Sequence, residues 1–201
     1  MKQVAAAMLC VALAGCGGLR SSRPAEQVYV LHAAPAAAAG QPVAGVLRVP
    51  RPDVQPGLDT ARIALTRAGN ELDYFADSRW GESLPKVLAA FAAESMSRSG
   101  LFETVVGGTA GPVLGDFDLL LTARSFEAAY GDGAPTARVA FDCVLLGGAP
   151  RQVVGRCDAR AEAPAGENRM GAIVAALERA AQQAMAEAGG RAAILARAFR
   201  K

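Results

Sequence analysis

The sequence predicts an α+β domain of two layers, a mostly antiparallel sheet covered on one face by two main helices. Three observations predict it. Two segments each carry a single apolar stripe at helical spacing: Leu84, Val87, Leu88, Phe91 and Ser95 in one, and Met170, Ile173, Val174, Leu177, Ala181, Ala184 and Met185 in the other. Three long β-prone segments, residues 117–130, 136–146 and 152–163, follow one another with only short glycine-rich turns between them, the pattern of an antiparallel meander. A helix with one apolar stripe has one face to bury, so two such helices cover one side of a sheet.

The first element is a leader. Lys2 supplies a positive charge, and residues 4–13 form an apolar run of signal-peptide length, well short of the roughly 20 apolar residues a bilayer span needs. Leu13-Ala14-Gly15-Cys16 closes it in the manner of a lipobox. The small Ala14 and Gly15 open the backbone to a peptidase, and the Cys16 sulfur can take a diacylglyceryl group. The expectation is that residues 1–15 are removed, that Cys16 becomes an acylated N-terminus, and that residues 16–27 form a lipidated tether ahead of a domain over 28–201. Stable anchoring needs more than one acyl chain, which a triacylated cysteine (palmitate among its acyl groups) provides. Gly17 stands where retained inner-membrane lipoproteins carry Asp. By resemblance to sorted lipoproteins, this points to the outer membrane, with the chain facing the periplasm.

The elements of the domain follow in order. Residues 17–27 are polar and aperiodic, reaching at most about 3.3–3.6 Å per residue. Residues 28–31 are β-prone. Residues 33–45 form an Ala/Pro/Gly stretch too plain to pack much. Residues 46–49 read as a strand ended by Pro50 and Pro52, residues 62–66 as another, and residues 71–75 as its return after the turn signal Ala68-Gly69-Asn70. The first helix opens at Ser83, tolerates Pro85 in its first turn and closes at Gly100. Residues 101–106 return as a strand, and 107–115 as a loop. After the meander a second helix runs over 169–188. Gly189-Gly190 interrupts it, and residues 191–200 form a short terminal helix with Ile194, Leu195 and Phe199 on one side.

Composition removes several function classes. The 201-residue chain carries 21 Lys and Arg against 19 Asp and Glu, a net charge of +2, which argues against nucleic acid as the main ligand. His32 is the only histidine and lies beside the low-complexity stretch, a poor place to hold a catalytic geometry. There is no GxSxG elbow, no P-loop and no metal-ligand spacing, so the sequence reads as non-enzymatic, without metal or cofactor. Asp116 and Asp118 share a strand face and read as a solvated strand end. The glycine-rich run 107–111 opens no helix and so lacks the amides of a phosphate site. Arg191, Arg197, Arg200 and Lys201 make a basic C-terminus, read as a solvated last turn complementing the helix dipole rather than a headgroup contact.

Four cysteines divide. Cys10 leaves with the leader and Cys16 takes lipid, while Cys143 and Cys157 remain in a compartment where disulfides persist. An antiparallel register about a turn near Pro150 sets Cys143 opposite Cys157. A bridge there closes a loop of about 15 residues, worth up to roughly 3 kcal/mol. The other reading is two small buried apolar side chains. Trp80, the only tryptophan, either braces the helix start against the sheet or stacks on a partner. With Tyr74 and Phe75 it forms the first place to look for partner contact.

Several segments carry a family resemblance. Tyr29-Val30-Leu31 resembles the Tyr-Tyr-Leu-Leu opening of the ABC-type transport auxiliary lipoproteins, the group of paraquat-inducible protein C. Val46-Leu47-Arg48-Val49-Pro50, Ala61-Arg62-Ile63-Ala64-Leu65 and Asn70-Glu71-Leu72 match in kind, and Arg79-Trp80-Gly81-Glu82-Ser83-Leu84 resembles the family's Trp-Ala-Glu-Pro-Leu segment before the long helix. The resemblance implies a non-enzymatic partner of a mammalian-cell-entry (MCE) type lipid transport system. In such a system an inner-membrane ABC transporter works with a periplasmic MCE tunnel. The auxiliary lipoprotein, as a ring-like homo-oligomer, receives that tunnel at the outer membrane. Two other readings stay open: a general envelope-assembly lipoprotein, and a lipid-carrying module enclosing an acyl chain.

Overall fold

The computed structural model describes residues 25–36, 40–67, 71–108 and 114–200. The leader, Cys16 and the turn at 68–70 lie outside them. The meander is the spine: β7 (Phe117–Ala129), β8 (Thr136–Gly147) and β9 (Gln152–Pro164) pair antiparallel along their full lengths. Period-two alternation turns Phe117, Leu119, Leu121 and Ala123 to one face of β7. A bulge at Arg124 then adds one residue, which keeps Phe126 and Ala128 on that same face.

The other edge of β7 is shared by three short strands laid end to end. β2 (Val43–Val49) pairs with its start, β3 (Asp53–Val54) with its middle and β4 (Arg62–Thr66) with its end, all parallel. Two arms extend from them. β6 (Phe102–Gly107) pairs parallel with β2. β5 (Leu72–Trp80) pairs antiparallel with β4, and β1 (Gln27–Tyr29) parallel with β5. The result is an α+β fold on a nine-stranded mixed sheet. Its long ladders are antiparallel, and its short arms introduce the parallel pairs. β2 begins at Val43, inside the Ala/Pro/Gly stretch, because Val43 is buried and its N–H reaches Leu101 O at 2.8 Å.

α1 (Leu84–Ser99) begins after Ser83 and ends at Gly100, whose φ of 64° is the left-handed turn glycine adopts most readily. Ser83 caps with its carbonyl rather than its hydroxyl, accepting from Lys86 and Val87 N–H. α2 (Met170–Phe199) is one helix of 30 residues, which corrects the expected break at Gly189-Gly190. A glycine inside a helix costs about 1 kcal/mol but does not end it, and here tertiary contact overrides it. A Cβ on Gly189 would stand 3.0 Å from Met96 Sδ, so glycine is what lets α2 close on α1. Gly155 does the same for α2 on β9, where a Cβ would meet Leu195. Both helices pack on the same side, over a core of Leu47, Leu88, Phe91, Leu119, Phe141 and Leu177. Among the described residues, the opposite face of the sheet bears no helix.

Candidate functional site

The described residues ahead of β2 are fastened to the domain from Glu26 to His32. Glu26 pairs with Arg79 at 2.8 Å, and β1 adds to the sheet edge. Past β1, the His32 N–H donates to Glu178 Oε2 at 2.8 Å, His32 Nδ1 lies 3.0 Å from the same oxygen, and Gln182 Nε2 donates to His32 O at 2.9 Å. The lone histidine is thus a strap contact on α2, with its side chain open to solvent. Ala33 is buried beneath the strap, so the start of the low-complexity stretch packs after all.

The aromatic residues of β5 do not form one surface. Trp80 is 1% exposed and sits edge-on against Phe126, ring centroids 5.8 Å apart. Its place in the core corrects its candidacy as a partner contact: it braces the start of α1 against the sheet. Tyr74 and Phe75 are successive strand residues and point to opposite faces. The Tyr74 hydroxyl donates to Gly57 O at 2.7 Å while the Arg62 guanidinium lies over its ring, 4.0 Å from the centroid. Phe75 packs against Tyr130, which donates to Asn168 Oδ1. Both remain partly exposed.

Asp116 is solvent-exposed at the strand start, as expected, but Asp118 is not. Asp118 is 8% exposed, with Arg151 Nε 3.1 Å and Arg48 Nε 3.4 Å from its carboxylate. Asp116 accepts from Val46 N–H at 2.8 Å and faces Arg200 at 3.4 Å, and Arg151 also donates to the carbonyls of Gly115 and Asp116. Gly45, with φ of 88°, brings β2 against Asp116, where a Cβ would collide with the carboxylate. Arginines flank both carboxylates. The cluster clamps the β2–β6 arm to the start of β7. Period two signalled the shared face, but not the arginines that fold onto it from β2, the β8–β9 turn and the end of α2.

Cys143 and Cys157 lie opposite one another in the β8–β9 ladder, Cα atoms 4.9 Å apart, their sulfurs joined in a disulfide beneath α2. The basic C-terminus is engaged within the chain: Arg191 with Glu187 and Asp158, Arg197 with Gln41 O, and Arg200 with Asp116 and the Phe117 ring. Lys201 lies outside the described residues, as does most of the glycine-rich run.

What remains is the helix-free face. It carries a lattice of charges on β7, β8 and β9, with Arg124 paired to Asp142 and Arg138 to Glu162. Beside them an open groove of about 380 Å³ is lined by Leu120, Thr122, Val144, Arg51, Asp53 and Arg156. Glu127, further along β7, is half-buried. Burial pushes its carboxyl up, against the lowering pull of the Phe126 N–H and Arg138. The cavity under the strap between α1 and α2 measures only about 80 Å³. Small-molecule sites usually take roughly 300–1,000 Å³.

Among the described residues no trio of His, Cys, Asp and Glu gathers as a metal site, and no helix is long and apolar enough to cross a membrane. The described residues define a class: a small α+β module with one face of its sheet packed by helices and the other open. The family model of the ABC-type transport auxiliary lipoprotein component matches residues 29–188, and the chain belongs to that family. Membership places it among envelope lipoproteins associated with an ABC transporter. Solved structures share the fold. Protein XCC0632 from Xanthomonas campestris is 22% identical with a TM-score of 0.77, over 87% of this chain and 99% of that one. An uncharacterized protein is 15% identical with a TM-score of 0.63, over 88% and 99%. Hypothetical protein CT253 from Chlamydia trachomatis is 9% identical with a TM-score of 0.53, over 77% and 98%. No curated protein matches the sequence of this chain.

Proposed function

We propose that this chain is a non-enzymatic outer-membrane lipoprotein subunit of an MCE-type ABC lipid transport system, acting as a homo-oligomer that docks or assembles the periplasmic tunnel. The observation that carries the reading is the family match over residues 29–188, joined to a sheet whose helix-free face is left for other proteins. Cys16 supplies the anchor in this reading, and the tether, expected to run to residue 27, sets its reach only as far as Glu26, where Arg79 holds the chain. The small volume of the cavity under the strap, between α1 and α2, weighs against the lipid-carrying alternative, since an acyl chain needs several times that space.

The test has two arms. Cys16→Ala is expected to lose the acyl mass and leave the membrane fraction. Immobilised chain is expected to capture the periplasmic domain of its cognate MCE protein. Wild-type protein with no acyl mass on Cys16 would remove the anchor. Failure to capture the MCE domain would leave the general envelope-assembly reading in its place.

A further inference from the structure

We infer that the groove between Arg51 and Arg156, on the helix-free face, binds the phosphodiester headgroup of an anionic phospholipid. The first carbons of the lipid lie over Leu120 and Val144, and its acyl chains stay outside. The inference goes beyond the docking reading above and does not depend on it.

The first observation is a census of cations. Among the described residues, every lysine and arginine but two has a carboxylate, a backbone carbonyl or an aromatic ring as its partner. The two are Arg51 and Arg156. Every Asp and Glu of the chain is among the described residues, so no side-chain carboxylate of this chain pairs with either.

The second observation is that both line the same groove, of about 380 Å³. The register sets them on opposite walls. Arg156 stands opposite Val144, and Val144 opposite Leu120. On the other side Asp53 stands opposite Thr122, and Arg51 and Asp53 flank the buried Pro52, so both turn outward. About three strand spacings, roughly 14 Å, separate the two walls. The floor between them is apolar: Leu120 is 39% exposed and Val144 half-buried, with the Thr122 hydroxyl beside them.

These features select the ligand. Guanidinium groups present N–H donors in a rigid fork that suits carboxylate and phosphate oxygens. A planar carboxylate fills one fork. A tetrahedral phosphate offers oxygens to both walls at once. Arg124 and Asp142 satisfy each other, so Arg51, Arg156 and Asp53 leave one positive charge in excess in the groove. A phosphodiester carries one negative charge. A bare anion would leave Leu120 in water, whereas an ester with an apolar body covers it. The volume falls in the range of small-molecule sites, enough for a headgroup and its glycerol. Membership of a lipoprotein family sets the chain beside a membrane, where such esters are at hand.

The test titrates the full chain, in a nonionic detergent, with dihexanoyl phosphatidylglycerol below its micelle concentration, read by calorimetry. Arg51→Gln with Arg156→Gln in the same detergent subtracts partition into micelles. Saturable binding is expected for the wild type and none for the double variant, with each single change weakening it roughly tenfold. Thermal melts are expected to stay unchanged, because neither arginine has a partner to lose. Glycerophosphoglycerol, the same diester without acyl chains, is expected to bind more weakly. Leu120→Ser is expected to weaken the lipid severalfold and leave glycerophosphoglycerol unaffected. Wild-type binding no greater than that of the double variant would overturn the inference. So would glycerophosphoglycerol or inorganic phosphate binding as tightly as the lipid, which would make the groove a plain phosphate site. Capture of the MCE domain is read on the same samples. Capture lost in the double variant, with no lipid bound by the wild type, would assign the arginines to carboxylates of a protein and overturn the lipid site. Lipid binding lost in the double variant with capture retained supports the site and leaves the proposed function standing. Lipid binding without capture by the wild type supports the site and removes the MCE partner.

Discussion

The same three strands present two unlike faces. On β9 the side toward α2 reads Cys157, Ala159, Ala161 and Ala163, small enough for a helix to lie close. The side away from it reads Arg156, Asp158, Arg160 and Glu162. Backbone and period are common to both, so the difference comes from the neighbours. One face is packed to near-zero exposure and sets stability. The other carries charges held by one another and by water, where single ion pairs are worth little and the chemistry is available for recognition. Substitutions should therefore separate by face, in magnitude and in what they disturb.

The largest effect is expected in the packed layer. Trp80→Ala removes a fully buried ring lying against Phe126 and is expected to cost about 3–5 kcal/mol, read by urea unfolding. The folded fraction should still capture the MCE domain. Undiminished stability with lost capture would return Trp80 to the contact surface and blur the division between faces.

The disulfide comes next, at the floor of the same layer. Replacing both Cys143 and Cys157 with Ala is expected to lower stability by up to roughly 3 kcal/mol, with a sequence separation of 14 setting the loop. Thiol labelling of unfolded, unreduced wild-type protein should find neither cysteine reactive. Two labelled thiols would show the pair to be ordinary core residues.

The smallest effect lies on the helix-free face, at Glu127, and has the opposite sign. Burial raises the Glu127 pKa above its ordinary 4.5, so folding favours the protonated carboxyl. The stability this group contributes is full below pH 4.5 and is lost as pH rises through the raised folded value. Glu127→Gln is expected to be the more stable protein at pH 7, and to lose that advantage below pH 4.5. Denaturant midpoints at the two pH values read the difference. A variant weaker than wild type at pH 7 would mean that Arg138 and the Phe126 N–H outweigh the burial.

How legible the molecule was follows the range of the interactions. β4 has the bounds its residues suggest, α1 starts after Ser83 and ends at Gly100, and the meander keeps its order, because period, proline and glycine act within a few residues. The opposition of Cys143 and Cys157 was readable for the same reason, since a short turn transmits register. The sharing of one β7 edge by β2, β3 and β4 was not readable. Strand composition records which faces are buried, but not which distant strand supplies the hydrogen bonds.

The candidate site divides in the same way. The sequence by itself determined the two-layer plan and the family, both written in local order. Only the tertiary structure decided that Gly189-Gly190 passes through a continuous α2, where Met96 needs the space of a missing Cβ. It also decided that Asp118 is buried between two arginines, and that Trp80 faces inward. Each depends on residues far apart in the chain, and only packing brings them within reach.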